Sequence, residues 1–299
     1  MPVTDNNFRK AFIFMAVSSL AGALIAVSIK ALSFHISIAV IFFFTRLFIL
    51  FGAIPTLLKQ KKSLLQSQNK SKIIVVSIFY IAAMYCYFYS LKMIPMSISS
   101  LFANSSPLYV PLIAYFILND ESIKSHLLWI SIGISFIGVC LVLTPHGNMQ
   151  HSAWGVFIAF LSGLFLALWQ VFTKKTTGNE SPHRIAFFQM ITSIVITFIP
   201  AAWIIAHHGI HYLDGLWTLR NISVLIMAGI SSWIYQLYRT KAMNLAPVSF
   251  VMPFGYLGVI FVGFFDYIFW HTMPHLIAMI GMCLVIIGVV FLLKTQKIS

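Results

Sequence analysis

The sequence predicts an all-α polytopic membrane protein of ten transmembrane helices, arranged as two inverted five-helix repeats. Three observations predict it. Of 299 residues, 60% are hydrophobic and only 8% charged, with a mean hydropathy of +0.94. A soluble domain of this length has no interior large enough to hide so much apolar surface. The apolar residues fall in ten runs, most of them near the roughly 20 residues that cross a bilayer core about 30 Å thick. Finally, a unit of five such runs is written twice. An odd number of spans per unit forces the two copies into opposite orientations.

Each element has its own signal. Span 1, about residues 11–29, follows Arg9 and Lys10. It is long enough to cross and leads into a second span, so it reads as a helix and not as a cleaved signal. Span 2, about 34–58, carries Arg46 near its centre, and a Lys/Gln/Ser-rich loop follows at 59–72. Span 3, about 73–91, is rich in tyrosine: Tyr80, Tyr85, Tyr87 and Tyr89. A joint at Pro95 leads to span 4, about 97–118, interrupted by Asn104-Ser105-Ser106-Pro107 and by Pro111. Asp120 and Glu121, expected to be solvated, mark its end. Span 5, about 127–143, contains Gly138. The helix-breaking stretch 144–152, with His146 and His151, divides the halves, giving repeats at 1–147 and 148–299.

The second unit follows the same order. Span 6, about 153–172, ends near Trp169-Gln170, and span 7, about 185–205, carries Gln189. The loop 206–221 holds His207, His208, His211 and Asp214. Span 8, about 222–238, contains Trp233, Tyr235 and Tyr238. After Pro247, span 9, about 248–269, is interrupted by Pro253-Phe254-Gly255-Tyr256 and Gly258 and carries Asp266 toward its far end. Span 10, about 276–293, contains Gly288. The clearest internal match sets residues 87–143 against 238–293: Pro95 falls near Pro247, Asn104 opposite Gly255, and Gly138 near Gly288.

Charge gives the orientation. Residues 1–10, 59–72, 119–126, 173–184, 239–247 and the tail hold 15 of the 19 Lys and Arg, the alternate loops hold three (Lys30, Lys92 and Arg220), and Arg46 lies inside a span. This is the positive-inside distribution, and it places both termini in the cytoplasm. It also accounts for the net charge of +13 without a nucleic-acid partner.

Several residues could carry function. A charge at the depth of Arg46 costs at least ~2.5 kcal/mol, so Arg46 should face the bundle interior or a wet cavity. It is either a contact for an anionic substrate group or a structural arginine bonded to helix carbonyls or to a polar neighbour span. The interruptions in spans 4 and 9 free backbone groups that only protein or cavity water can satisfy. Their matching placement points to Asn104, Ser105, Gly255 and Tyr256 as substrate contacts rather than plain kinks. Tyr80, Met84 and Tyr87 share one helical face; Tyr80, Tyr87 and Trp233 could equally wall a cavity or join the aromatic belt at the membrane surface. Tyr89 and Tyr238 read as belt residues. Asp266, the sole acid within a span, is either a protonation site or a solvated helix end. Small residues four apart, Ser18/Gly22/Ala26 and Ala159/Gly163/Ala167, let helices pack closely in lipid.

Other chemistry is poorly supplied. Cys86, Cys140 and Cys283 sit in apolar spans without metal-ligand spacing and read as small buried hydrophobes. His207 and His211 are four apart but lack acidic or thiol partners at ligand spacing, so no metal site is expected. No phosphate-cradling Gly-x-x-x-x-Gly-Lys-Ser/Thr loop occurs, and the six acids are scattered, so neither an ATPase nor a membrane enzyme is expected. No cofactor is expected.

The run Phe-Phe-Phe-Thr-Arg46-Leu-Phe resembles the second-helix arginine segment of EamA-type bacterial members of the drug/metabolite transporter superfamily. Leu91-Lys-Met-Ile-Pro-Met-Ser97, Pro107 and Asn119-Asp-Glu121 resemble that family's third-to-fourth helix signature. The second copy keeps Ala242-Met-Asn-Leu-Ala-Pro247 but has Trp270-His271 where relatives often carry a second acidic end, so the two ends should not play equal roles. The resemblance covers nearly the whole chain. It implies a carrier for amino acids, nucleotide-like metabolites or drugs in a bacterial inner membrane. Residues 100–121 also resemble bacterial S-adenosylmethionine uptake carriers of this superfamily. The expected partners are a small-molecule substrate and membrane lipids, and a homodimer is allowed. A non-transporting sensor or a lipid flippase on the same fold is the competing reading.

Overall fold

The computed structural model describes residues 5–32, 37–65, 70–90, 93–94, 96–143, 152–209, 213, 215–271 and 276–295. His35, Lys92, Pro95, the boundary at 144–151 with His146 and His151, His211, Asp214, His275 and the side chain of Asp266 lie outside what it describes. The helices are α1 (Asp5–Leu32), α2 (Ile38–Leu65), α3 (Lys70–Ser90), α4 (Met96–Asn104), α5 (Ser106–Leu118), α6 (His126–Val142), α7 (Ala153–Thr177), α8 (Pro182–His208), α9 (Leu219–Leu245), α10 (Val248–Val251), α11 (Leu257–Trp270) and α12 (Leu276–Thr295). Short 3-10 segments occupy Glu121–Lys124 and Met252–Tyr256.

Ten spans result, because α4 and α5 are two halves of one crossing, and α10, the second 3-10 segment and α11 are pieces of another. Both splits fall where the sequence places its interruptions. Ser105 stands between α4 and α5, and Pro107 opens α5, where a missing N–H costs nothing. Pro253 and Gly255 lie within the 3-10 segment. Polar side chains start several helices by accepting an N–H from the first turn: Ser125 from Leu128, Ser152 from Gly155, Ser181 from Arg184 and Thr218 from Asn221.

Seven of the crossings among the described residues are long and apolar enough to span a bilayer by composition alone, and α6 and α12 are shorter apolar helices. The exception is α9. Its 27 residues bury Ser231, Ser232, Gln236, Arg239 and Thr240. These face protein rather than lipid, so hydropathy does not register the helix as strongly. Here the sequence expectation needs correcting: span 8 does not stop near residue 238 with Arg239 in a loop, but continues to Leu245.

The packing pattern carries the repeat. The main neighbours are α1 with α9, α2 with α9, and α1 with α11; α3 with α7, α3 with α8, and α7 with both α4 and α5; α2 with α8; and α6 with α12. Exchanging span n with span n+5 turns the first three pairings into the next set and maps the last two onto themselves. Spans 4 and 9 also end alike. Asn119 (φ 53°) and His271 (φ 52°), each the residue after its last helix, are the left-handed non-glycine residues among those described.

Close approach uses small residues, as lipid provides no hydrophobic force between helices. A Cβ on Gly138 would overlap the Gly281 carbonyl, and one on Gly288 would overlap Ser135, so α6 and α12 meet backbone to backbone. Gly163 on α7 lies against the Phe102 carbonyl at the break of span 4. Buried hydroxyls mostly bond within their own helix, such as Thr45 to the Ile41 carbonyl (2.8 Å) and Thr240 to the Gln236 carbonyl (2.8 Å). The outer face is apolar: Leu58, Phe116, Ile199 and Trp203 are more than 60% exposed, which suits a lipid surround and no aqueous one.

Candidate substrate cavity between the repeats

A cavity of about 410 Å³ lies between the two five-helix units. Span 4 contributes Ser100, Asn104, Ser106 and Pro107, and span 9 contributes Met252, Gly255 and Tyr256. Tyr87 on α3, Gln170 on α7, and Tyr235 and Arg239 on α9 complete its polar wall, while Gly22 and Ala26 on α1 are part of its apolar side. Both interrupted spans therefore open onto one space. The cavity reaches Val142 and Leu143 at the end of α6, away from the ends that carry the Lys- and Arg-rich loops. Toward that basic end it is closed by an apolar cluster including Phe8, Met15, Val110, Ala114, Val251 and Phe254.

Arg239 is the charged group of the cavity wall. It is 7% exposed. Its Nη1 donates to the Tyr235 hydroxyl at 2.8 Å, and Nη2 lies 3.5 Å from the Met252 sulfur. The guanidinium also stands 5.2 Å from the Tyr235 ring centre and 5.7 Å from that of Trp169, a favourable placement over the negative ring faces. Nε has no partner. Spacing explains the arrangement: Tyr235 and Arg239 are four apart on α9 and so share a face. Gly22 permits the tyrosine to sit there, since a Cβ at that position would be 3.2 Å from its ring.

Other polar atoms around the cavity are also unfilled. Gln170 donates to Ser106 Oγ at 3.3 Å but its Oε1 has no partner, and the buried Tyr256 hydroxyl has none. Tyr87 and Ser100 share a 3.0 Å hydrogen bond, and Asn104 donates to the Ser100 carbonyl at 2.8 Å. Buried polar groups without partners are uncommon in folded proteins. Here a guanidinium, an amide oxygen and a phenol converge on one space, a set able to bind an anionic group and orient a polar one.

The model of the EamA-like transporter family matches residues 9–144 and 153–294. The chain belongs to the EamA-like transporter family. The two matched segments correspond to the two units seen in the packing. This EamA-like transporter is 24% identical over 241 residues to the pseudopaline exporter CntI of Pseudomonas aeruginosa, covering 81% of each chain. It is 23% identical over 212 residues to the S-adenosylmethionine uptake transporter of Rickettsia bellii, covering 70% of this chain and 67% of that one. A solved crystal structure superposes with a TM-score of 0.79 at 14% identity, covering 97% of this chain and 98% of the other. That likeness concerns the fold. Family and relatives identify a multi-pass membrane transporter and not an enzyme.

Within this EamA-like protein the eight residues singled out from sequence divide into three groups. Tyr87, Asn104, Gly255 and Tyr256 line the cavity. Arg46 and Tyr80 stand one layer behind it. Arg46, 2% exposed, donates from Nη2 to the Tyr80 hydroxyl at 3.0 Å and lies 4.6 Å from the Phe42 ring centre. Tyr80 in turn packs on Trp169 at 4.9 Å between ring centres, and Trp169 meets Arg239. Ser105 and Trp233 lie elsewhere. Ser105 donates to the Phe102 carbonyl, and its Oγ also forms a 3.0 Å hydrogen bond with the Tyr109 hydroxyl. Trp233 packs with Ile49, Ala53, Phe187 and Met190 on another side of α9, where Gly52 admits it.

Sequence reasoning passed over Arg239 and Tyr235 as site residues. The available signal was a tyrosine and an arginine at helical spacing, followed by Thr240, Ala242 and Met243 before the helix stops. Asp120 also differs from expectation. It is half-buried, caps the following 3-10 turn through Ser122 N, and accepts a 2.9 Å hydrogen bond from Ser249 of the other repeat. Glu121 is exposed and paired with Lys124 at 2.8 Å. Gln189, the other polar handle, donates to Thr173 Oγ1 at 3.3 Å, away from the cavity lining. Among the described residues, no group of three His, Cys, Asp or Glu could hold a metal.

Proposed function

We propose that this protein is a secondary carrier of a small polar or amphipathic metabolite bearing an anionic group, an amino acid or a related compound. It works in a bacterial inner membrane by alternating access between its two inverted repeats, taken as 1–147 and 148–299. The observation that carries this reading is Arg239: a buried guanidinium on the wall of an inter-repeat cavity, with no carboxylate paired to it among the described residues. A bound carboxylate would supply the missing partner through charge-assisted hydrogen bonds. The 15-to-3 charge distribution supports cytoplasmic termini, and the cavity then opens to the opposite side. That is one of the two states alternating access requires.

The same cavity suits a second reading, an S-adenosylmethionine-type uptake carrier. Its support is the rickettsial relative together with Tyr87, Tyr235 and Tyr256 on the cavity wall, aromatic faces on which a flat cationic or heterocyclic group can stack. Thermal stabilisation of the purified protein by amino acids, nucleosides and S-adenosylmethionine tests both readings, followed by counterflow in proteoliposomes. Stabilisation without counterflow would make the protein a sensor, and scrambling of lipid in the same vesicles a flippase. Reporter fusions at Asn148 and Gln66 test the orientation; a cytoplasmic signal at Asn148 would reverse it. A homodimer is compatible with this reading, and light scattering of the purified protein tests it.

A further inference from the structure

A second cavity, about 640 Å³, lies at the basic end of the bundle. Asn7, Asp120, Lys174, Thr177 and Asn244 are among its lining residues, together with the joint 245–248. Residues from the start of α1, the end of α5, the end of α7 and the end of α9 thus meet there, as alternating spans require. The apolar cluster around Met15, Val110, Val251 and Phe254 separates it from the central cavity. The two cavities share helices: α7 presents Gln170 to one and Lys174 to the other, one turn further on, and α9 presents Arg239 to one and Asn244 to the other.

Its two charged groups are each incompletely satisfied. Lys174 Nζ donates to the Met243 and Ala246 carbonyls. An ammonium has three donors, so one remains. The Asp120 carboxylate accepts from Ser122 N, from Ser122 Oγ and from Ser249 Oγ. A carboxylate has about four acceptor positions, so one remains there as well. The two charges are not an ion pair with each other or with any described residue. One wall of the cavity thus offers a cation with a spare donor, and another an anion with a spare acceptor.

We propose that this second cavity is a cytoplasmic-side binding station for a zwitterionic, amino-acid-like metabolite, with Lys174 holding its carboxylate and Asp120 its ammonium group. The inference rests on the carrier reading above. When the apolar cluster parts, the substrate carboxylate exchanges Arg239 for Lys174. A single unpaired cation would recognise any anion. The added carboxylate of Asp120 selects for molecules that bring a positive charge too and disfavours simple anions.

The competing role for Lys174 is structural, as a cap on the last carbonyls of α9. Counterflow in proteoliposomes of defined sidedness separates the two, with the twenty L-amino acids and S-adenosylmethionine as labelled probes. For Lys174→Gln and Asp120→Asn, the expected result is a KM raised ten-fold or more from the cytoplasmic face, with the KM from the other face within two-fold of wild type. Lys174→Arg should restore most of it. Glu121→Gln, a neighbouring exposed acid, should change neither. An equal rise at both faces, or a lowered rate at unchanged KM, would reduce Lys174 to a helix cap and overturn the proposal. Should Lys174→Gln not fold, Asp120→Asn decides by the same criterion. Wild-type behaviour of Arg239→Gln would instead overturn the central-cavity reading while leaving the cytoplasmic-face result legible. No counterflow with any probe would overturn both.

Discussion

Arg46 on α2 and Arg239 on α9 are alike in several respects. They are 2% and 7% exposed, each donates to a tyrosine hydroxyl, and each leaves Nε without a partner. They differ in what lies in front of them. Arg239 borders the central cavity. Arg46 is enclosed by Phe42 and Tyr80, with guanidinium-to-ring distances of 4.6 and 5.3 Å, and is not among the residues that line the cavity. Arg239 borders the space proposed to take a ligand, whereas Arg46 contacts the Tyr80 ring and hydroxyl one layer back. Burial depth and lack of an acidic partner, the two properties readable for Arg46 in the sequence, do not separate these roles. The neighbour across the helix interface does.

The largest expected effect comes from filling the space in front of Arg239. A Cβ at Gly255 would stand 3.8 Å from Arg239 Nη2 and 3.1 Å from the Met15 methyl. Gly255→Trp should therefore abolish transport while the protein still inserts and purifies. Transport at wild-type rate would place the path elsewhere and remove the distinction between the arginines. Ser105→Trp makes a contrast, because Ser105 packs against Gly163 rather than on the cavity. It should lower thermal stability and expression instead of yielding a folded, inactive protein.

Next comes the direct exchange. Arg239→Lys should fold and bind an anionic-group substrate on the order of 30-fold more weakly, the equivalent of about 2 kcal/mol for one buried charge-assisted contact. Ligand-dependent thermal stabilisation measures it, and equal stabilisation of mutant and wild type would make Arg239 structural. Arg46→Lys should weaken binding less, by several-fold, because a lysine keeps the charge but loses the planar face that packs on Phe42 and Tyr80. If Arg46→Lys proves the more damaging of the two, the layering inferred here is inverted. The smallest effect belongs to Tyr80→Phe. It removes the hydroxyl that Arg46 donates to while keeping the ring against Trp169, and should cost about 1 kcal/mol in stability with binding changed less than three-fold. A larger loss of binding than of stability would show Tyr80 to be a substrate contact after all.

The interrupted spans show how sequence and structure divide the work. Pro107, Pro253 and Gly255 mark both breaks in the sequence, because a missing N–H or a missing Cβ acts on its own helix whatever surrounds it. What each break presents is another matter. Span 4 turns Asn104 and Ser106 to the cavity and Ser105, the position between its two helices, toward α7. No periodicity rule reaches across such a break. The equivalent ends at Asn119 and His271 adopt the same backbone, yet only the first is followed by an acid that reaches the other repeat.

The sequence by itself determined the ten spans, the inverted doubling, the two breaks and the division between basic and non-basic ends. Those properties follow from local composition: apolar length against bilayer thickness, proline and glycine against helix continuity, and charge against the membrane surface. Tertiary structure alone decided that α9 runs on through Arg239, that Arg239 rather than Arg46 borders the cavity, that Trp233 packs on a different side of α9 from Tyr235, and that Asp120 joins Ser249. The physical reason is common to all four. A polar residue in a membrane helix is tolerated when another helix covers it, and which helix covers it depends on residues of other spans, such as Trp169 for Arg239 and Ser249 for Asp120.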